Sequence, residues 1–351
     1  MSKAEKIKNF NPNDIGNKDN TIFGLPFTVS EAEVVILPMP WEVTVSYSAG
    51  TARGPEAVYD ASFQIDLYEP YIKDAWKLGI AMDEISAKWL STSDRLRKKA
   101  EKYIALLEEG KTWEKNKTMQ TIRLEINKEG KAFKEWVKKK TLLHLKQGKL
   151  VCGLGGDHST PLGIVEALAE QHKSFGILHL DAHADLRNAY EGFEYSHASI
   201  MYNVLKVKQV EKLVQVGIRD YCEEEVNIIN TSKGRVKTYF DRDIKHRQFE
   251  GETIKKIYSS IIKDLPKKVY ISFDIDALDP KLCPNTGTPV AGGFEFEEAL
   301  YIIQLLVESG RTIIGCDLNE VGPGNSDWDA NVGGRILYRM CNLMALSNGR
   351  F

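Results

Sequence analysis

Three things are scarce in this chain, and each removes a class of function. The five cysteines, Cys152, Cys222, Cys283, Cys316 and Cys341, are odd in number and form no C-x-x-C pair. A disulfide framework is therefore not expected, and a reducing cytoplasm is the default setting. No apolar run approaches the roughly 20 residues a membrane span needs. The start, "MSKAEKIKNFNPND", has no apolar h-region, so neither a membrane anchor nor a secretory signal is predicted. Charge excess is missing too. Lys and Arg number 47 against 49 Asp and Glu, for a formal charge of -2, which gives no electrostatic reason to expect nucleic acid or an anionic membrane as partner. Repeats and low-complexity tracts are absent. What remains is a chain of 351 residues, 42% hydrophobic and 27% charged, an ordinary globular composition with ample material for a large core.

Short, nearly continuous apolar runs recur along it: "AEVVILPMP", "KLVCGLGG", "SFGILHLDAHAD", "KLVQVGIRD", "KKVYISFDID" and "TIIGCDLNEV". Continuous rather than alternating runs suit strands buried on both faces, as in a parallel sheet. Helical stretches such as "PLGIVEALAEQH" and "FEFEEALYIIQLLVES" fall between them, which predicts a single three-layer α/β/α domain with a mostly parallel sheet. That domain is expected over 33–351, after an N-terminal extension at 1–32 that wraps the surface or a neighbouring subunit. Thr160 is the expected N-cap of the helix after Gly156, with Pro161 as its first residue. Residues at about 93–149 are rich in Lys and Glu, with apolar residues at helical spacing. They read as two or three amphipathic helices, either a surface excursion or a docking arm.

The chemistry gathers at strand ends. In "ILHLDAHADLR", Asp181, His183 and Asp185 alternate strictly, so on an extended backbone they share one face. Two uncompensated carboxylates there are costly to bury. "VCGLGGDHST" adds His158 and "VYISFDIDALDP" adds Asp274 and Asp276, each again after an apolar strand. Ligands of parallel α/β sheets collect at the carboxyl ends of strands. Four Asp and two His, with no thiolate, exceed what one zinc needs and fit two divalent ions. Oxygen-dominated sites with imidazole suit Mn²⁺, with Ni²⁺, Co²⁺ or Fe²⁺ as alternatives. Asp157 and Ser159 are expected to cap or support the turn. His179 is expected to point to the opposite face as a core or interlayer histidine, and His144, His172 and His246 receive no role.

"GGDHS", "DAHADLR" and "SFDIDALDP" together resemble the three signature motifs of the ureohydrolases: arginase, agmatinase, formimidoylglutamase and their relatives. The resemblance runs from about residue 33 to the C-terminus, the charged helical stretch apart. It implies hydrolysis of a guanidino or formimino group at a binuclear centre, usually manganese, in a homo-oligomer (trimer or hexamer). By the same resemblance, one ion would be held by His158, Asp181, Asp185 and Asp274. The other would be held by His183, Asp181, Asp274 and Asp276, with Asp181 and Asp274 bridging. His197, in "EGFEYSHAS", matches the family's proton shuttle, and Glu320, in "GCDLNEVGP", its guanidinium-binding carboxylate. "NTGTPVAGG" matches a loop that shapes the site.

Arg187 stands where arginases carry an Asn that holds the substrate's α-carboxylate, and this stretch looks agmatinase-like. L-Arginine is disfavoured; agmatine, guanidinobutyrate, free guanidine and formimidoylglutamate stay open. Trp41 and Trp328 are either core or interface aromatics, or indoles narrowing the cleft, with Trp328 then touching substrate. Among other classes, a metallophosphoesterase would need a Gly-Asn-His motif that is missing. A deacetylase-type amidohydrolase lacks this full donor set. A catalytically lost scaffold protein is disfavoured by the intact donors, His197 and Glu320.

Overall fold

A computed structural model describes all 351 residues. Eight strands form its centre: β1 Val34–Met39, β2 Ile80–Met82, β3 Leu150–Gly155, β4 Phe175–Leu180, β5 Val210–Ile218, β6 Val236–Phe240, β7 Lys268–Asp274 and β8 Thr312–Asn319. They make one sheet in the order β2-β1-β3-β8-β7-β4-β5-β6, every neighbouring pair parallel. The apolar runs are continuous because both sheet faces are covered. In β1, Val34 and Ile36 join one hydrophobic core while Leu37 and Met39 join a second on the other side. Helices Gly54–Ala61, Ile254–Ile262, Phe296–Glu308 and Trp328–Ser347 cover the first face. Helices Ala87–Glu108, Lys117–Lys146 and Leu162–Gln171 cover the second. The three-layer α/β fold is the one the sequence predicts.

The charged stretch at 93–149 is not an excursion. It supplies most of two helices, Ala87–Glu108 and Lys117–Lys146, that carry the chain from β2 to β3. Trp89, Leu96, Ala100, Met119, Ile126, Phe133 and Val137 are buried in the second core. Only a narrow stripe of each helix is apolar, which is why the Lys and Glu on the outer faces dominate the composition. Gly163 shows how closely this layer is packed: a Cβ there would lie 2.5 Å from the Lys134 carbonyl.

The first of the two placements expected for the N-terminal extension is seen, and one smaller expectation changes. The N-terminal extension wraps its own chain. Lys3 donates to the Leu78 carbonyl at 2.8 Å, the Phe10 and Trp76 rings sit 5.1 Å apart, and Ile22, Phe23, Leu25 and Phe27 are buried. The helix after β3 begins at Leu162, and Thr160 is not its cap. The Thr160 hydroxyl donates instead to Asn319 Oδ1 at 2.8 Å, because β8 ends beside β3 and offers a buried acceptor.

The four central strands β3, β8, β7 and β4 end side by side. His158 follows β3, Asp181 immediately follows β4, Asp274 closes β7 and Glu320 immediately follows β8. Sheet order alone brings these residues, distant in sequence, to one edge.

Candidate metal centre

The turn after β3 is built on glycine. A Cβ on Gly156 would lie 2.0 Å from the Trp41 carbonyl, so no other residue fits there without moving the backbone just after β1. Asp157 holds the turn rather than the site: Oδ1 accepts from Ser159 N at 3.0 Å and Oδ2 from Val43 N at 3.3 Å. His158 then points its Nδ1 at three carboxylates, 3.0 Å from Asp181 Oδ2, 3.1 Å from Asp274 Oδ2 and 3.4 Å from Asp185 Oδ2. His183 Nδ1 lies 2.9 Å from Asp276 Oδ2 and 3.6 Å from Asp181 Oδ1. All six residues expected to bind metal therefore converge, with Asp181 facing both histidines through different oxygens.

Backbone donors fix these carboxylates. Asp181 Oδ1 accepts from His183 N at 2.6 Å, Asp274 Oδ1 from Asp276 N at 2.9 Å, and Asp276 Oδ1 from Ala182 N at 3.0 Å. Asp185 sits at φ 54, a left-handed conformation costly for a non-glycine residue and concentrated at functional sites.

The electrostatics call for a cation. Every basic side chain within ion-pair distance of Asp181, Asp185, Asp274 and Asp276 is a histidine. Burial, then Asp181, pushes Asp185 up to about 7. Burial, then Asp276 and Asp181, raises Asp274 well above the carboxylate range. Burial disfavours charge on His158, but Asp181, Asp185 and Asp274 outweigh it and its pKa is raised. These are carboxylates short of positive charge, and a donor set of this kind fits two divalent ions.

A small cavity opens onto the cluster. It holds about 140 Å³ and is lined by Ser46, His183, Asp185, Arg187, His197 and Thr288, among others. His197 is held neutral, its pKa lowered to about 3 by burial and then by His183 and His158. Arg187 lies over the Tyr190 ring, 4.8 Å from its centroid. Glu320 is buried beside the cluster, with φ 62. Its Oε1 accepts from His158 N at 2.9 Å, while Oε2 has no partner. Burial, then Asp274, raises its pKa well above the usual range.

A profile described as "Arginase family" matches residues 32–341. The chain belongs to the arginase family. It is 31% identical over 319 residues to the N(1)-aminopropylagmatine ureohydrolase of Thermus thermophilus, covering 91% of this chain and 92% of that one. With the agmatinase of Bacillus anthracis it shares 28% over 296 residues, 84% of each. In fold it is similar to the proclavaminate amidino hydrolase of Streptomyces clavuligerus (TM-score 0.72, 21% identity, 95% and 99% covered). A second likeness in fold is the agmatine ureohydrolase of Thermoplasma volcanium (TM-score 0.68, 21% identity, 97% of each chain). This arginase-family ureohydrolase is thus a hydrolase of C–N bonds, from a family of binuclear metal enzymes.

Around the ureohydrolase site one open alternative is decided and two expectations are corrected. Trp41 is core: it stacks on Phe133 with ring centroids 4.7 Å apart and is 2% exposed. Trp328 is not among the residues lining the cavity, and its indole N–H donates to the Lys281 carbonyl at 3.0 Å. His179 does not point away. It has the same parity as Asp181, so it shares its face, and its Nε2 lies 2.7 Å from Asp181 Oδ2. The signal for His179 was present in the alternation that reveals the donors.

Proposed function

We propose that this ureohydrolase hydrolyses the guanidino group of a small cationic guanidino compound, breaking the bond from the guanidino carbon to the substituted nitrogen to give urea and an amine, with agmatine or an N-substituted agmatine as the leading substrate. The observation that carries this is Glu320. One oxygen is fixed by the His158 backbone N–H and the other is buried without a partner beside the metal donors. A guanidinium N–H supplies the donor and the charge that this oxygen lacks. The relatives named agmatinase and N(1)-aminopropylagmatine ureohydrolase support the choice of substrate.

His158, Asp181, Asp185 and Asp274 would hold one divalent ion, and His183, Asp181, Asp274 and Asp276 the other, with Mn²⁺ preferred and Ni²⁺ as the alternative. When bound, such a pair supplies an activated water and polarises the substrate carbon. The protein's own part is orientation and proton movement. Glu320 holds the guanidinium, and His197, which lines the cavity that opens onto the cluster, would shuttle a proton to the departing nitrogen.

A second reading, hydrolysis of free guanidine to urea and ammonia, has one observation behind it. The cavity of about 140 Å³ is well below the few hundred Å³ typical of ligand sites. Urea release from metal-loaded protein with agmatine, N-aminopropylagmatine, guanidine, guanidinobutyrate and arginine separates the readings. Turnover of an agmatine compound is the expected result. Turnover of guanidine alone favours the second reading, and no urea from any of them defeats both.

A further inference from the structure

A row of polar residues, Asp317, Ser272, His179, Gln215 and Thr238, crosses the sheet beneath the metal donors, and its last three form a hydrogen-bonded chain. His179 on β4 is in register with Gln215 on β5, and Gln215 is in register with Thr238 on β6. His179 and Gln215 are fully buried, each between two apolar neighbours on its strand, while Thr238 is partly exposed near the sheet edge. Buried polar side chains in such a place need a complete set of partners, and here the set has a direction.

The direction follows from what each group can do. An ionised Asp181 only accepts, so the 2.7 Å contact to its Oδ2 makes His179 Nε2 the protonated nitrogen. His179 Nδ1 is then the acceptor, and Gln215 Nε2 donates to it at 3.1 Å. The same amide donates to the Ala184 carbonyl at 2.7 Å, and Gln215 Oε1 accepts the Thr238 hydroxyl at 2.8 Å. Each donor meets an acceptor, and only one tautomer of His179 satisfies them all.

The relay ends on the one carboxylate that faces both histidines. Asp181 Oδ2 takes the His179 proton on one side, and Oδ1 takes the His183 N–H at 2.6 Å. On the cluster side, Oδ2 lies 3.0 Å from His158 Nδ1 and Oδ1 lies 3.6 Å from His183 Nδ1. We infer that Thr238–Gln215–His179 is a positioning relay: it holds Asp181 in the rotation a bridging ligand needs, and His179 itself is not a ligand. This rests on the two-ion reading of the site and extends it to three residues outside the donor set.

The test is Mn²⁺ binding by the full chain, stripped with chelator and titrated against a coloured competitor, alongside melting of the metal-free protein. His179→Leu is expected to weaken Mn²⁺ binding by about 10- to 100-fold, the usual effect of removing a hydrogen-bond partner behind a metal ligand. His179→Gln keeps a donor at similar reach and should recover most of that loss. Thr238→Val changes one hydroxyl near the edge and should weaken binding several-fold, with kcat lowered at limiting Mn²⁺ and KM unchanged. It stays informative if the Leu variant does not fold. Wild-type affinity in both the Leu and Val variants, even with a lower melting temperature, overturns the relay, since that is the mark of a merely structural role. So does a Gln variant no better than Leu, which would make the imidazole a ligand. Fewer than two Mn²⁺ on the wild type would instead defeat the two-ion reading.

Discussion

Replacing Glu320 by Gln isolates the interaction on which the substrate assignment stands. The backbone N–H of His158 bonds Oε1 at 2.9 Å, and the Gln carbonyl can keep that bond, so the turn bearing His158 should stay in place. What changes is the other atom. An unpartnered carboxylate oxygen becomes an amide nitrogen, a donor facing a cation. A hydrogen bond to a charged group contributes about 1.5–3 kcal/mol, so its loss lowers kcat/KM roughly 10- to 100-fold. Metal content should not move, because Glu320 is outside the donor set. The metal-free protein should melt no lower than wild type, since a buried carboxylate with an unpaired oxygen is itself unfavourable. Urea release over a range of agmatine concentrations at saturating Mn²⁺, with metal analysis and melting curves, measures all three. A kcat/KM within twofold of wild type would show that this oxygen does not meet the substrate. A lower melting temperature with a matching loss of metal would reduce Glu320 to a structural strut.

Other consequences can be measured with the same protein. Chelation should lower the melting temperature and excess Mn²⁺ restore it, since a ligand at 100 times its Kd stabilises by about 2.7 kcal/mol; an unchanged melting temperature would mean that the carboxylate cluster is not short of cations. Trp41→Ala should destabilise by about 3–5 kcal/mol through loss of its stack on Phe133, whereas Trp41→Phe should leave the ratio of substrates turned over unaltered. Trp328→Phe removes one indole bond to Lys281 and should leave KM within twofold of wild type, so a large rise in KM would return Trp328 to the substrate site. Asp83 is held well below the usual carboxylate range by His144, against partial burial, and then by Lys140. Its folded pKa is depressed, so its contribution is complete above an ordinary Asp pKa of about 4 and fades as pH falls toward the folded value. Asp83→Asn should therefore melt below wild type at pH 7 by a margin that shrinks below pH 4, and equal margins at both would contradict the pairing.

What could be read from sequence was what is encoded locally. The strands were visible because burial on both faces leaves their apolar runs unbroken, as in "VVILPM" and "LVCGLG". The candidate metal donors were visible because Asp181, His183 and Asp185 repeat with the strand period. The long helices were misjudged because their outer faces carry the charge, while the stripe through Trp89, Leu96, Phe133 and Val137 is narrow. Thr160 was assigned to the helix because its real acceptor, Asn319, is 159 residues away. Gln215 and Thr238 gave no local signal: nothing in the flanking residues marks either, and they meet His179 only through the order β4-β5-β6.

The same arrangement explains why so unfavourable a site can exist. Four carboxylates converge with only histidines for charge partners, and one of them, Asp185, and the neighbouring Glu320 hold positive φ values of 54 and 62. Backbone strain of that kind costs about 1–3 kcal/mol per residue and persists only where the surroundings over-determine it. Here the surroundings are the ends of four neighbouring parallel strands, rigidly paired and packed on both faces. A loop could relax by swinging its carboxylates apart. These turns are tethered to strand ends in register and pinned by backbone donors, so the repulsion is relieved by taking up cations or protons rather than by moving apart. That is why the donors sit at or just beyond β3, β4 and β7, and why disturbing the row beneath Asp181 should be felt first in metal affinity.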